Sequence, residues 1–335
     1  MSTIPQYQDF ESAYLDQLER VYKQPQFTNA PRGNPSREIL SLAYRIEDPR
    51  DRTVRRASRR TNLIFQFAEV LWYLSGSAEL SMIAFYAPSM TRYSADQYRL
   101  QGTAYGPRIF QFGGAGIDQW STIVRTLADD PDSKRAFVQI FAPEELLISG
   151  NIDVACTIGL QYFARDGALH AASFMRANDA YRGAVSDVFS FTFLQELLAA
   201  ELGQELGSYS HFVGSYHIYD VDLPNVVRTL EQTKSVGGSG LFPRMPRGNN
   251  WKFVREVLAL ERACRTGSIT MDRGELERLD LPDYWRDIVC LFALHAKRRG
   301  AGIIDRDLLG ALPALYRALV ENCWRIDATP EGAAA

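Results

Sequence analysis

A handful of side chains in this sequence have the chemistry of a reaction centre. Cys156 stands in the apolar run ACTIGLQYF, where a thiol is either an inert small hydrophobe or a nucleophile made reactive by a neighbouring charge. Glu69 lies inside LIFQFAEVLWYL, and a carboxylate buried there is unfavourable unless it is paired or handles a proton. Arg176 falls in the alternating stretch ALHAASFMRA, fit to hold an anion or to meet solvent. His217 and Tyr219 in GSYHIYD suit either a ligand's hydroxyls or a satisfied core. Singly, each has an ordinary structural use. Cys264, Cys290 and Cys323 lie far apart with no CxxC pair and no histidine at ligand spacing. Neither a metal site nor a disulfide framework is expected, and reduced thiols suit a reducing, cytoplasmic compartment.

The chain has 335 residues, 46% of them hydrophobic and 23% charged, which is enough to bury one large core, with or without an appendage. No apolar stretch approaches the roughly 20 residues of a membrane span, and MSTIPQYQDFESAYLDQLER lacks a basic-then-apolar signal pattern. The net charge of −3 argues against a nucleic-acid surface, whose affinity comes from clustered Lys and Arg. A free nucleotide needs only a few arginines.

The elements that must position these groups read as mixed α+β. Residues 39–46 (ILSLAYRI) and 136–141 (AFVQIF) have strand length, and residues 63–74 are apolar nearly all round, as in a buried helix. Two further strand-like runs within 157–177 flank Asp166-Gly167, a favoured hairpin dipeptide, so they should pair antiparallel. Asp187 precedes VFSFTFLQELLAAELGQELG, which predicts a core helix with Asp187 near its N-cap. Glycine-rich SVGGSG at 235–240 reads as a linker. Beyond it, 251–265, 283–298 and 305–325 have helical spacing, which predicts a catalytic domain over 1–235 and a helical extension over 236–335, with the terminal ATPEGAAA frayed. The basic run from Arg50 to Arg60 reads as a solvated face.

Six motifs then appear in order: AEVLWYLSG, TAYG, DDPDSKR, ACTIGLQYF, MRANDAYRGAVSD and GSYHIYD. Their order and approximate spacing over residues 30–235 resemble the thymidylate synthases and dCMP hydroxymethylases. The resemblance implies a mixed sheet packed with helices, a pyrimidine nucleotide substrate and 5,10-methylenetetrahydrofolate as one-carbon donor. It implies that Cys156 adds to C6 of the base, that Arg176 holds the phosphate beside that sulfur and favours thiolate, and that Arg32 in APRGN grips the phosphate from a mobile loop. Lys134 and Arg135 match a basic pair that reaches the phosphate from a second subunit, implying a homodimer with shared sites. Glu69 matches a buried glutamate that moves protons through water, Tyr105 a tyrosine near C5, and Asp179 the aspartate that holds the folate pterin. His217 and Tyr219 match a pair that contacts the sugar hydroxyls.

Three departures refine the expectation. Asp187 stands where thymidylate synthases carry asparagine; an ionised carboxylate offers only acceptors, which suits the 4-amino group of cytosine. In TRYSADQY, Tyr93 and Tyr98 stand where thymidylate synthases have two tryptophans beside the folate, and a less sealed pocket favours water over hydride as the final reactant. Ala177 replaces a phosphate-contacting serine and Lys134 an arginine, which leaves room for a ribose 2′-hydroxyl. The chain is most similar to the CMP 5-hydroxymethylases of mildiomycin-type nucleoside-antibiotic pathways. The expected reaction converts CMP to 5-hydroxymethyl-CMP, with dCMP hydroxymethylation and then dUMP methylation as the alternatives.

Overall fold

A computed structural model describes residues 4–237 and 240–326; the terminal ATPEGAAA and part of SVGGSG lie outside the described residues. In chain order the elements are β1 (Gln6–Tyr7), α1 (Phe10–Lys23), β2 (Phe27–Asn29), β3 (Ser36–Ile46), α2 (Leu63–Leu74), α3 (Leu80–Tyr86), α4 (Tyr105–Phe110), α5 (Gln119–Asp129) and β4 (Phe137–Gln139). There follow β5 (Thr157–Arg165), β6 (Ala168–Asp179), α6 (Gly183–Leu202), β7 (Glu205–Tyr219) and α7 (Leu223–Glu231). The C-terminal part comprises α8 (Trp251–Thr266), α9 (Arg273–Glu277), α10 (Asp283–Ala301), α11 (Arg306–Ala311) and α12 (Ala314–Trp324).

The strands form one mixed sheet in the order β1-β3-β7-β6-β5-β4, with β2 paired to β3. The β5–β6 hairpin turns at Asp166-Gly167, whose φ angles of 50° and 76° are the positive pair a type I′ turn requires. β6 and β7 run parallel because α6 crosses between them, and their registers place Asp179 beside His217.

α2 starts where Asn62 accepts the Phe65 N–H and is buried nearly all round, as its unbroken apolar pattern demands. α6 is likewise a core helix, but it begins at Gly183. Asp187 therefore sits one turn inside it and not at its N-cap, a position held by Arg182. The local reason is that β6 runs on to Asp179, whose carboxylate accepts the backbone N–H groups of Tyr181 and Arg182 and so starts the helix early.

The basic run is also not a solvated face. Arg52 is buried against Glu196, Arg55 pairs with Asp51 at 2.8 Å, and Arg59 lies over the Tyr181 ring at 4.5 Å while donating to the Tyr181 carbonyl. Arg52 thereby ties the 50–60 segment to α6, while Arg55 pairs within the segment and Arg59 joins it to the turn before α6.

The expected 305–325 helix is split at Pro313 into α11 and α12, since proline lacks the N–H that would continue α11. The C-terminal helices share the core of the rest. Tyr316 meets Phe67 of α2 at 5.6 Å, Trp285 meets Phe193 of α6 at 6.2 Å, and Tyr86 of α3 donates to buried Glu261 of α8 at 2.8 Å.

Candidate active site

A cavity of about 940 Å³ opens beside the ends of β6 and β7, walled by α2, the start of α4 and the first turns of α6. Pockets for one drug-sized ligand begin at about 300 Å³, so this volume suits two small molecules side by side.

Cys156 ends the irregular segment before β5 and lines the cavity. Its carbonyl takes the Arg176 backbone N–H at 2.9 Å, which ties the thiol to the end of β6. The Arg176 guanidinium donates to the carbonyls of Ala155 (2.8 Å) and Val154 (2.9 Å) and lies 3.7 Å from the sulfur. Its direction is thereby fixed by backbone and not by a carboxylate, so its charge is available to an anion. Burial pushes the Cys156 thiol up, and Arg176 pulls it back only in part. The expected bias toward thiolate is thus present but outweighed, because desolvation penalises the charged form more than one cation favours it.

Two carboxylates face the same cavity. Glu69, on α2, is pushed up to about 8 by burial, with the Asp187 charge adding to it; the Ser190 hydroxyl donates to it at 3.3 Å. Asp187, on α6, is pushed up to about 7 by burial, opposed by the Asn178 N–H at 2.7 Å. Groups so displaced gather at reaction centres more often than elsewhere. Tyr105 receives the Thr157 hydroxyl at 3.0 Å and stacks on Tyr73 at 4.9 Å.

The family model for thymidylate synthase matches residues 12–240, which spans strands β2 to β7, α2, α6 and every cavity residue described so far. The chain belongs to the thymidylate synthase family. Among curated relatives, it is 29% identical over 216 residues to the deoxyuridylate hydroxymethyltransferase of Bacillus phage SP01, covering 62% of this chain and 56% of that protein. It is 31% identical over 216 residues to the deoxyuridylate hydroxymethyltransferase of Delftia phage PhiW-14, covering 60% and 59%. The chain therefore spans less than two thirds of the length of either.

In this thymidylate synthase family chain, Arg32, Glu69, Tyr93, Tyr105, Cys156, Arg176, Ala177, Asp179, Asp187, His217 and Tyr219 all line the one cavity. Arg32 sits at φ 52° in a short turn between β2 and β3, and its charge opposes the upward push that burial gives the Tyr219 hydroxyl. His217 and Tyr219, two apart on β7, meet edge to face at 5.0 Å. Asp179 uses Oδ1 for the Tyr181 and Arg182 N–H groups at 2.9 and 2.8 Å, which leaves Oδ2 for a ligand N–H. Tyr93 reaches the cavity at 41% exposure, whereas Tyr98 is 77% exposed and does not line it. Lys134 and Arg135 are exposed and stand outside the cavity of their own chain.

The structure adds residues that sequence reasoning missed. Asp153 accepts three backbone N–H groups from Gln101, Gly102 and Thr103, pinning the loop that leads into Tyr105 to the segment that leads into Cys156. Glu145 accepts the Ala155 N–H at 2.6 Å and the Arg108 guanidinium at 2.7 Å, fixing the residue before the thiol. Asn178 is buried between Asp187 and His211. Acidic residues in polar loops carry no periodic signal, so nothing in the sequence marked Asp153 or Glu145; Asn178 stood inside a motif without being singled out. Among the described residues, no cluster of three His, Cys, Asp or Glu side chains is placed to hold a metal ion, and no helix is long and apolar enough to cross a membrane.

Proposed function

We propose that this chain transfers a hydroxymethyl group from 5,10-methylenetetrahydrofolate to C5 of cytidine monophosphate, through a covalent bond from Cys156 to C6. The observation that carries the reading is one cavity holding a thiol, a guanidinium 3.7 Å from it, and two buried carboxylates raised to about 7 and 8. The names of the phage relatives support hydroxymethyl transfer.

The volume and the unused Oδ2 of Asp179, with Tyr93 at the open side, fit a folate beside a nucleotide. When bound, the folate supplies a one-carbon unit at the oxidation level of formaldehyde. Arg176 and Arg32 hold the nucleotide phosphate, and Arg176 sets Cys156 below C6. Addition of the Cys156 sulfur to C6 raises electron density at C5, which takes the one-carbon unit. C5 then loses its proton as the bond from the transferred carbon to the folate nitrogen breaks, which leaves an exocyclic methylene on the nucleotide and free tetrahydrofolate. Glu69 orients a water and takes its proton as the oxygen adds to that methylene, and the C6–S bond breaks to restore the aromatic ring. No oxidant or reductant is consumed.

Asp187 supports cytosine, since its carboxylate accepts from a 4-amino group. The relatives' names favour a second reading, deoxyuridylate, in which a protonated Asp187 offers a donor to O4. Water as final reactant is supported by an open wall in which, among the described residues, no tryptophan lines the cavity. A homodimer is supported by Lys134 and Arg135 outside their own cavity and by the ladder Phe137–Phe174–Phe212, with ring separations of 6.3 and 5.2 Å, partly buried on the sheet face away from α6.

Release of tritium from [5-³H]CMP is the test. Folate-dependent release by the wild type and none by Cys156→Ala supports the proposal; release by Cys156→Ala at near wild-type rate overturns it.

A further inference from the structure

Behind Asp187 a chain of buried polar groups leads away from the cavity, and none of them belongs to the mechanism above. Asn178, 2% exposed, contacts Asp187 Oδ2 through Nδ2 at 2.7 Å, and its Oδ1 lies 3.0 Å from His211 Nε2. His211, fully buried, has Nδ1 2.8 Å from both the Ser173 and Tyr209 hydroxyls, which are 2.6 Å apart. Gly183 makes the first contact feasible, because a Cβ there would stand 3.1 Å from Asn178 Nδ2 and 3.2 Å from Asp187 Oδ2.

The donor and acceptor inventory leaves one arrangement. A carboxylate only accepts, so Asn178 turns its amide N–H to Asp187 and its carbonyl to His211. His211 must then carry its proton on Nε2, and Nδ1 must accept a hydroxyl from Ser173 or Tyr209. Burial holds His211 neutral, near 3, so this tautomer persists across the physiological range. Asn178 is not free to flip, and Oδ2 of Asp187 is permanently an acceptor. Any proton on Asp187 has to sit on Oδ1, the oxygen left for the cavity.

We infer that Asn178, locked by His211, is a specificity-determining positioning residue that favours the carboxylate form of Asp187 and keeps it turned to accept from a cytosine 4-amino group, and that its loss admits uracil. The inference rests on the base-recognition reading above. The groups facing Asp187 are Glu69 and Tyr73 from α2, Tyr105 from α4, Asp179 from β6, Tyr44 from β3, Tyr209 and Tyr216 from β7, and Cys156 before β5. Each is an acid, so ionisation of any of them disfavours charge on Asp187, as does burial. The Asn178 N–H works in the opposite direction. Without it the protonated form of Asp187 gains at neutral pH, and its O–H then donates to O4 of uracil as an amide would.

The experiment compares kcat/KM for CMP and UMP between pH 6 and 9 in wild type, Asn178→Ala and Asp187→Asn. In Asn178→Ala the CMP/UMP ratio is expected to fall about tenfold or more at pH 7 and to recover toward wild type at pH 9, since alkali ionises Asp187 without help. In Asp187→Asn it falls at every pH. A wild-type ratio at pH 7 in Asn178→Ala, with Asp187→Asn altered, overturns the inference and spares the base reading. A ratio unmoved in both variants overturns the two together. If Asn178→Ala fails to fold, His211→Phe serves instead. It keeps a ring against Tyr44, 5.1 Å away, and removes the N–H that orients Asn178, so the same pH-dependent fall is expected.

Discussion

Replacing Asp187 by asparagine exchanges one charged oxygen for an amide of the same shape, and two separable effects follow. The first is on the base. A hydrogen bond to a charged group contributes about 1.5–3 kcal/mol, and the substitution removes one such contact from cytosine while supplying a donor to uracil. The relative specificity should therefore move by about 2–4 kcal/mol, or roughly 30- to 1000-fold toward uracil. The second effect is on stability. Asp187 titrates at the ordinary 3.8 when unfolded and at about 7 in the folded chain. Between those values the folded state binds more protons than the unfolded one, so stability falls as pH rises through that window and is level above it. A shift of that size corresponds to about 4 kcal/mol lost by pH 8.5, of which about 1.6 kcal/mol is already lost at pH 5. Asp187→Asn should accordingly raise the urea midpoint more at pH 8.5 than at pH 5, and kcat/KM for CMP and UMP should invert or converge. An unchanged base ratio refutes the account of recognition. A stabilisation independent of pH refutes the claim that Asp187 is the buried titrating group.

Cys156→Ala should abolish turnover while nucleotide affinity, measured by calorimetry, stays within a few-fold of wild type, because the thiol makes the covalent bond but Arg176 and Arg32 hold the phosphate. Glu69 keeps its proton below about 8 and acts as a base above it, so kcat/KM should rise through that region; Glu69→Gln should remove this limb and lower kcat about 100-fold or more. In Asp187→Asn the same limb should move to lower pH, since the Asp187 charge is the second cause of the Glu69 shift after burial. Ala177→Ser with Lys134→Arg should move the CMP/dCMP ratio of kcat/KM toward dCMP by about tenfold, by drawing the phosphate back from the space a 2′-hydroxyl needs.

Elements with strong local signals were legible in the sequence. The all-apolar α2, the Asp166-Gly167 hairpin and the helical spacing beyond residue 250 each determine their own conformation, so pattern sufficed. Asp187 was misplaced relative to its helix because the start of α6 is set by a contact from Asp179 and not by a capping residue at its own end. The buried arginines of the 50–60 segment were misread for a related reason: a charge run signals solvent unless its partners are known, and Glu196 lies far along the chain. Most of the candidate residues that line the cavity stand in the ordered motifs, with Arg32 and Tyr93 outside them. Those that hold them in place, such as Asp153, Glu145 and His211, act through backbone amides or buried relays whose geometry exists only in the fold.

The central claim is that a hydroxymethyl group is built on C5 of cytidylate without oxidation of the folate. Incubation of the enzyme with methylenetetrahydrofolate and equal amounts of CMP, dCMP and dUMP, followed by mass spectrometry of the nucleotides, tests it directly. The account predicts that CMP gains the elements of CH2O first and that tetrahydrofolate is left behind. Gain of CH2 by dUMP with formation of dihydrofolate, or conversion of dUMP to its hydroxymethyl form ahead of both cytidylates at pH 8, would contradict it.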